Sequence, residues 1–316
     1  MKKMDFIQLF WASVFVVSCF VKVVFANPTP VAISSTIQRD TILVDGRIRH
    51  YLAYIPDNLP LNVPLLFVFH GSLGCPQQMR ELTAYRFERL ADQHKFIVIY
   101  PEGFGAHWND CRKQAKYSAR TQHIDDVGFI RRLVARFHTR YKINLARVYA
   151  MGYSNGGHMA YRLGLEAADL IAGIAVVSAN LPELDNLDCQ INDKPLSVMI
   201  MNGTADPINP YNGGVVTIFG FGNRGKVISS LSTATWFAQY NKAKRIQKSE
   251  HIPHPGMLWA ERSIWNAPSG KKVELVTIHG GGHTIPHSTP IPVGLLGLTY
   301  TKMDGPAEIW NFFDHP

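Results

Sequence analysis

Apolar residues recur along this chain in two rhythms. After residue 40, short runs that are apolar at nearly every position alternate with longer stretches in which apolar residues return every three or four positions. A strand covered on both faces produces the first rhythm, and a helix with one buried side produces the second. Pro64–His70 (PLLFVFH), Phe96–Tyr100 (FIVIY), Val148–Gly152, Ile171–Val177, Leu196–Met201 and Val273–Ile278 read as buried strands. Ile48–Ile55 alternates apolar and polar, so it reads as an antiparallel edge strand. Helices are predicted over 77–94, with Met79, Leu82, Phe87 and Leu90 on one side, and over Asn155–Leu165 and 227–241. A further helix is predicted over Asp125–Tyr141, where Val127, Ile130, Leu133, Val134 and Phe137 share a face and Asp125 and Asp126 stand where capping residues stand. The last is Pro306–Phe313, with Ile309, Trp310 and Phe313 on one side. Strands separated by helices predict an α/β fold of three layers, a mostly parallel central sheet with helices on both faces.

The first 26 residues follow another pattern. Lys2 and Lys3 precede a nearly unbroken apolar stretch from Phe6 to Phe20, and Val24-Phe25-Ala26 offers small residues where a signal peptidase cuts. Lys22 interrupts the stretch, which is short for a permanent span. Residues 1–26 are therefore expected to be a signal peptide. Residues 27–316 are expected to be a single exported domain, secreted or periplasmic. Val16-Val17-Ser18-Cys19 offers a competing reading, a lipoprotein anchored through Cys19, and a retained anchor is a third. No internal repeat and no Pro/Ser/Thr-rich linker interrupts the remainder.

Composition narrows the function classes. Of 316 residues, 46% are hydrophobic and 18% charged, which excludes a disordered, solvating chain. The net charge of +8 falls to +6 without residues 1–26, and no run of lysine and arginine exceeds two residues. The basic residues are scattered, so a nucleic-acid partner is not expected. If Cys19 leaves with the signal, Cys75, Cys111 and Cys189 remain. Cys75 and Cys111 each follow a predicted strand by a few residues and are the expected disulfide pair; the alternative is that all three are buried apolar side chains.

The chemistry concentrates at Gly152-Tyr153-Ser154-Asn155-Gly156, a G-x-S-x-G between a predicted strand and a predicted helix. A chain that turns sharply from strand to helix crowds the positions two residues either side of the serine, and glycine relieves that crowding. Ser154 is the expected nucleophile. A base is expected after a late strand, in the order serine, acid, histidine. His283 follows Gly280-Gly281-Gly282 just past Val273–Ile278; His287 is the nearest rival, and His251 and His254 fall in a proline-rich stretch. Asp206 follows Leu196–Met201 and is the expected acid. The backbone N–H groups of Asn155 and Ser72 are the expected oxyanion donors, the latter in the loop His70-Gly71-Ser72-Leu73-Gly74. Two weaker patterns are set aside. Gly220 to Gly225 matches GxGxxG but follows no strand, and His283 with His287 lacks a nearby third metal ligand. Neither a cofactor nor a metal is expected.

With these motifs in view, the chain resembles the polyhydroxybutyrate depolymerase and feruloyl/acetylxylan esterase group of α/β-hydrolases from about residue 45 to 315. The resemblance rests on His70-Gly71-Ser72, Tyr100-Pro101-Glu102-Gly103 with Trp108, Asp125-Asp126-Val127-Gly128-Phe129 and Gly152 to Gly157. It continues in Gly203-Thr204-Ala205-Asp206-Pro207, Pro210 to Gly214, Gly281-Gly282-His283-Thr284 and Glu308-Ile309-Trp310. It implies the α/β-hydrolase fold and assigns Ser154, Asp206 and His283 as nucleophile, acid and base. It implies an ester substrate: a polyester oligomer, a feruloylated or acetylated polysaccharide, or a small ester. The chain departs from the group at Ile285-Pro286-His287, where Trp-Pro-Gly is frequent, and at Ser72, where cysteine is frequent. No linker and binding domain follow the last helix, so soluble esters or oligomers are expected over crystalline polymer. Tyr153, Trp108, Phe219 and Phe221 are the expected substrate contacts, the two phenylalanines in a glycine-rich stretch, 211–226, that reads as a loop or flap. A serine peptidase of the same fold and a non-catalytic carbohydrate-binding protein are the alternative functions.

Overall fold

A computed structural model describes residues 37–252, 258–288 and 294–314, with the backbone alone over 245–252. The expected signal peptide, Cys19 and His254 lie outside the described residues. In chain order the strands are β1 (Ile37–Val44), β2 (Arg47–Tyr54), β3 (Leu65–Phe69), β4 (Ile97–Pro101), β5 (Val148–Tyr153), β6 (Gly173–Val177), β7 (Ser197–Gly203), β8 (Gly214–Val215), β9 (Lys226–Val227), β10 (Lys244–Ile252), β11 (Trp259–Asn266) and β12 (Lys272–His279). The helices are α1 (Pro76–Leu82), α2 (Arg86–His94), α3 (Ser118–Thr121), α4 (Asp126–Tyr141), α5 (Asn155–Glu166), α6 (Ser230–Tyr240) and α7 (Gly305–Asp314).

Ten strands form one sheet in the order β1-β2-β4-β3-β5-β6-β7-β12-β11-β10. The six from β4 to β12 are mutually parallel, while β1–β2 and β10–β11 are antiparallel additions at the two ends. Parallel strands need covered faces, and alternate side chains supply both covers. On β3, Leu65, Phe67 and Phe69 join a core with Phe129, Leu133 and Phe137 of α4, Met159 and Leu163 of α5, and Phe237 of α6. Leu66 and Val68 point the other way, into a core with Met79 of α1, Phe87 and Leu90 of α2, and Trp310 and Phe313 of α7. This is the three-layer arrangement expected.

The apolar rhythm located the six central strands and misjudged the periphery. Ile48–Ile55 is not an edge: β1 covers it, with Val44 opposite Arg47. The helix expected over 77–94 is two helices, because Ala84 and Tyr85 turn left-handed at φ 46° and 57°. β10 and β11 were missed, and the backbone at His251 belongs to β10 rather than a loop. Asp125 caps α4 by accepting from Gly128 N–H at 2.7 Å, but Asp126 does not cap. It is buried and bonded to Arg49 at 2.6 Å and to the Asn109 N–H at 2.7 Å.

The disulfide joins Cys111 to Cys189, not to Cys75. The segment carrying Cys111 lies along the 180s loop: Asp188 N–H donates to the Cys111 carbonyl at 2.9 Å, and Lys113 N–H to that of Asn186 at 2.8 Å. That pairing brings the two Cα atoms to 5.0 Å, within disulfide reach, whereas Cys75 begins α1 at the end of the β3 loop. Residues 211–226 are not an irregular loop. β8 and β9 pair as a hairpin, prolonged by Val216 with Gly225 and by Ile218 with Phe221, and turned at Phe219 and Gly220, both with positive φ.

Candidate active site

The chain order reverses direction in the sheet between β3 and β5. It runs from β3 to β4 on one side and then returns to β5 on the other. Loops leaving the carboxyl ends of strands at such a point diverge and leave a crevice. Ser154 stands there, at the end of β5, with φ 57° and ψ −118°. A non-glycine residue in that region carries strain, which the surroundings must hold in place. They do so through the Ser154 N–H, which donates to the Val177 carbonyl at 2.9 Å, and the Ser154 carbonyl, which accepts from His158 N–H at 3.1 Å. The glycines act as the crowding argument requires. A Cβ on Gly152 would meet the Gly156 carbonyl oxygen at 2.0 Å, and one on Gly156 would meet the Phe69 and His70 carbonyl oxygens at 2.5 Å.

Asp206 and His283 come together from the next strand ends. Asp206 follows β7, His283 follows β12, and these strands are parallel neighbours. His283 Nδ1 lies 2.7 Å from Asp206 Oδ2, with both side chains almost wholly buried. Asp206 Oδ1 accepts from the N–H groups of Ile208 and Asn209, each at 2.8 Å. Those bonds fix the carboxylate, and the His283 contact is then best made by an Nδ1–H donating to Oδ2. The histidine backbone is held as well: its N–H donates to the Leu296 carbonyl at 2.7 Å, and its carbonyl accepts from the Tyr153 hydroxyl at 2.6 Å. The Asp206 contact is thus made by His283, which favours it over His287 as the base. Among the described residues, Ser154 Oγ makes no hydrogen bond in this arrangement.

The loop after β3 lies against the serine. A Cβ on Gly71 would stand 3.1 Å from the Tyr153 ring and 3.3 Å from Ser154 Cβ, so only glycine lets this backbone approach so closely. Gly74 N–H donates to the Gly71 carbonyl, and Leu73 N–H to that of Ala106, leaving the Ser72 N–H outside the bonds of the turn. Asn155 opens α5, so its N–H has no carbonyl one turn earlier in the helix. Asn155 follows Ser154 directly, and Ser72 follows the glycine that packs against it, so the two expected oxyanion donors lie on the segments that meet at the serine.

Side chains that the sequence reading passed over hold this side of the site. His70 is buried, which pulls its pKa down to about 4 and keeps the ring neutral. Gly103 N–H donates to His70 Nε2 at 2.9 Å, so Nδ1 carries the proton and donates to the Gly71 carbonyl at 2.8 Å. Asn155 Oδ1 accepts from Trp108 N–H at 2.8 Å, while its Nδ2 donates to Asp110 Oδ2 at 2.6 Å. Asp110 is paired with Arg112 at 2.6 Å and also accepts from the Tyr117 hydroxyl. Burial opposes the Asp110 charge, but Arg112 and the hydrogen bonds override it and hold the pKa at about 2. One sequence signal was available: Asp110 and Arg112 flank Cys111, an acid–base pair in a segment tied down by a disulfide.

The expected substrate contacts divide. Tyr153 lines a narrow crevice with Leu82, His283, Ile285 and His287. Trp108 is fully buried and donates from Nε1 to the His70 carbonyl at 2.9 Å, so it braces the two loops and cannot meet a substrate. Phe219 is half-buried and Phe221 is 62% exposed, both at the hairpin tip. Asn202, which begins an Asn-Gly-Thr sequon, is buried and bonded to Asn180 and Ser230.

Comparison with known proteins places the chain among ester hydrolases. No family model matches the chain. It is 30% identical over 283 residues to NocK of Nocardia uniformis subsp. tsuyamanensis, provisionally named an esterase, covering 85% of this chain and 80% of NocK. It is 28% identical over 228 residues to feruloyl esterase B of Piromyces equi, 70% of this chain but only 39% of that protein. Among solved structures it is similar to the acetyl xylan esterase from Aspergillus awamori, with a TM-score of 0.57, 16% identity, and coverage of 89% of this chain and 100% of that one. At that identity the likeness speaks for the fold.

Proposed function

The chain belongs to the α/β-hydrolase family of feruloyl esterases, acetylxylan esterases and poly(3-hydroxyalkanoate) depolymerases, and on that premise we propose that it is an exported serine carboxylesterase. One observation carries the reading: a strained Ser154 at the switch point of the sheet, with a buried Asp206–His283 bond of 2.7 Å on adjacent strand ends. His283 Nε2 takes the proton as Ser154 Oγ attacks the ester carbonyl carbon. The oxyanion accepts hydrogen bonds from the N–H groups of Ser72 and Asn155, and Asp206 stabilises the imidazolium. His283 then gives its proton to the alkoxide oxygen as the ester C–O bond breaks, releasing the alcohol. Water attacks the acyl-serine by the same route and frees the acid. The substrates are soluble esters or oligomers, an aromatic or acetyl ester of a polysaccharide or a hydroxyacid oligomer. A cleft of about 800 Å³, lined by Tyr117, whose hydroxyl meets the side chain of Asn155, is of a size to take one such segment and supports this. Export rests on the pattern of residues 1–26.

The test is Ser154→Ala. The variant is expected to fold with an unchanged thermal transition, to lose nearly all turnover of p-nitrophenyl acetate, and to escape labelling by a fluorophosphonate. Labelling that persists at another serine would overturn the assignment. A folded native chain with no turnover of any ester would favour a binding protein on a hydrolase scaffold.

A further inference from the structure

The cleft lined by Tyr117, which meets the side chain of Asn155 next to Ser154 in the chain, is chemically one-sided. Its lining includes Lys113, Lys116, Arg224, His107 and Tyr117, and no aspartate or glutamate. Lys113 and Lys116 are exposed, while Arg224 is half-buried. Arg224 Nη1 donates to the Gly222 carbonyl at 2.9 Å, and among the described residues no carboxylate forms an ion pair with any of the three. Asp110, bonded to the Tyr117 hydroxyl, is already matched by Arg112. Burial, and then the neighbouring Arg112, push the Arg224 guanidinium below its ordinary pKa. A cation kept in such a place gains from any anion that arrives.

The cleft is also built rather than incidental. Its two walls are the 110s segment and the β8–β9 hairpin, and buried Asn186 joins them. Its carbonyl and Oδ1 accept from Lys113 and Gln114 N–H, and its Nδ2 donates to the carbonyls of Arg224 and Lys226. The His107 and Tyr117 rings stack 4.7 Å apart, giving the cleft a flat aromatic surface. Tyr117 also connects it to the residue after the serine, since its hydroxyl oxygen accepts from Asn155 Nδ2 at 3.1 Å.

We propose that this cleft is a subsite for a carboxylate carried on the ester substrate, recognised by Arg224 with Lys113 and Lys116. The inference rests on the esterase reading and adds a preference for acidic over neutral esters. Esters of sugar acids or half-esters of dicarboxylic acids are the class that fits, and charge matching in a partly desolvated cleft acts on kcat/KM.

The experiment compares two matched pairs: p-nitrophenyl hemisuccinate with p-nitrophenyl butyrate, and acetylated galacturonate with acetylated galactose. The native chain is expected to favour the acidic member of at least one pair by about tenfold at low salt. Which pair responds tells whether the carboxylate lies on the acyl or the alcohol side. Arg224→Gln is expected to lower the acidic-to-neutral ratio about tenfold, and high salt to lower it in the native chain. Lys113→Gln with Lys116→Gln changes only exposed side chains and gives the same readout if the arginine variant folds poorly. Neutral esters turned over with ratios near one, or ratios unmoved by these variants, would overturn the subsite and leave the esterase standing. Should no ester be turned over, the esterase reading falls, and calorimetry with a galacturonate trimer decides the cleft: binding that depends on Arg224 keeps it, and its absence overturns it.

Discussion

The two sides of Ser154 are built by different means. On one side, Asp206 and His283 are set by the ends of two adjacent parallel strands, and mostly backbone groups hold them: Ile208 and Asn209 N–H on the carboxylate, the Leu296 carbonyl on the histidine N–H. The space there is a narrow crevice under Tyr153 and Ile285. On the other side, Asn155 and the Gly71–Ser72 backbone are held by side chains, through His70, Trp108, Asp110, Arg112 and Tyr117. Tyr117 of that network also lines the wide cationic cleft. The difference teaches where each side is vulnerable. The strand-end side should tolerate change around it and fail when its own two side chains change. The side-chain network should fail gradually and respond to pH.

The largest effect expected is on the strand-end side. His283→Ala should lower kcat/KM for p-nitrophenyl acetate by about a millionfold, and Asp206→Asn by about ten-thousandfold, because the base moves the proton whereas the acid orients and stabilises the base. Both variants should keep the native thermal transition within a few °C. A fully active Asp206→Asn would break the comparison and move the search for the acid to Asp185 or Asp188, which lie in the 180s loop.

A smaller effect should appear on the network side as pH falls. His70 is free to protonate near pH 6.5 when unfolded but only near 4 when folded, because burial and the adjacent His107 and Arg49 oppose its charge. A histidine whose folded pKa is depressed contributes stability that is full above about pH 6.5. That stability drains away as pH falls toward 4, since the unfolded chain then binds the extra proton. Protonation would also remove the Nε2 acceptor that holds Gly103 N–H. The melting temperature should therefore fall by about 5 °C or less between pH 7 and 4.5 on this account. In His70→Asn, which has no such proton to gain, the slope over that range should be flatter. Equal slopes would mean that His70 does not couple the oxyanion loop to pH.

The same division explains what could be read from the chain. β3, β5 and β7 are nearly continuous apolar runs and β12 is apolar at alternate and adjacent positions because both faces are covered, and a residue just past such a run must stand at the sheet's edge. Ser154, Asp206 and His283 were legible for that reason. The network was not, because its members are polar residues whose partners are far away in sequence: Arg49 meets Asp126, and Asn155 meets Asp110. Nothing in local periodicity records such a pairing. Likewise, Cys75 and Cys111 looked equivalent by strand spacing, and only the pairing of the 110s segment with the 180s loop selects Cys189. Trp108 shows the opposite error, where an aromatic residue in a recognisable motif suggested contact with substrate. Its indole instead spans from the His70 carbonyl to the Phe69 ring, 5.0 Å away, inside the protein.

The smallest effect expected concerns the hairpin that forms one wall of the cleft. Its tip carries Phe221, 62% exposed, and half-buried Phe219, while Gly222 to Arg224 line the cleft just behind. A turn of this kind, with positive φ at Phe219 and Gly220, holds two rings at a fixed place rather than on a wandering loop. If those rings cover the far end of a long acyl group, Phe219→Ala with Phe221→Ala should raise KM for methyl ferulate about three- to tenfold, the worth of partly burying an aromatic ring. An acetyl group is too short to reach the tip, so KM for p-nitrophenyl acetate should change less than twofold, and kcat for both should hold. Equal changes in KM for the two esters would place the hairpin outside acyl selection. Its role would then reduce to carrying Arg224, and the comparison would sharpen to one between a catalytic edge and a purely electrostatic one.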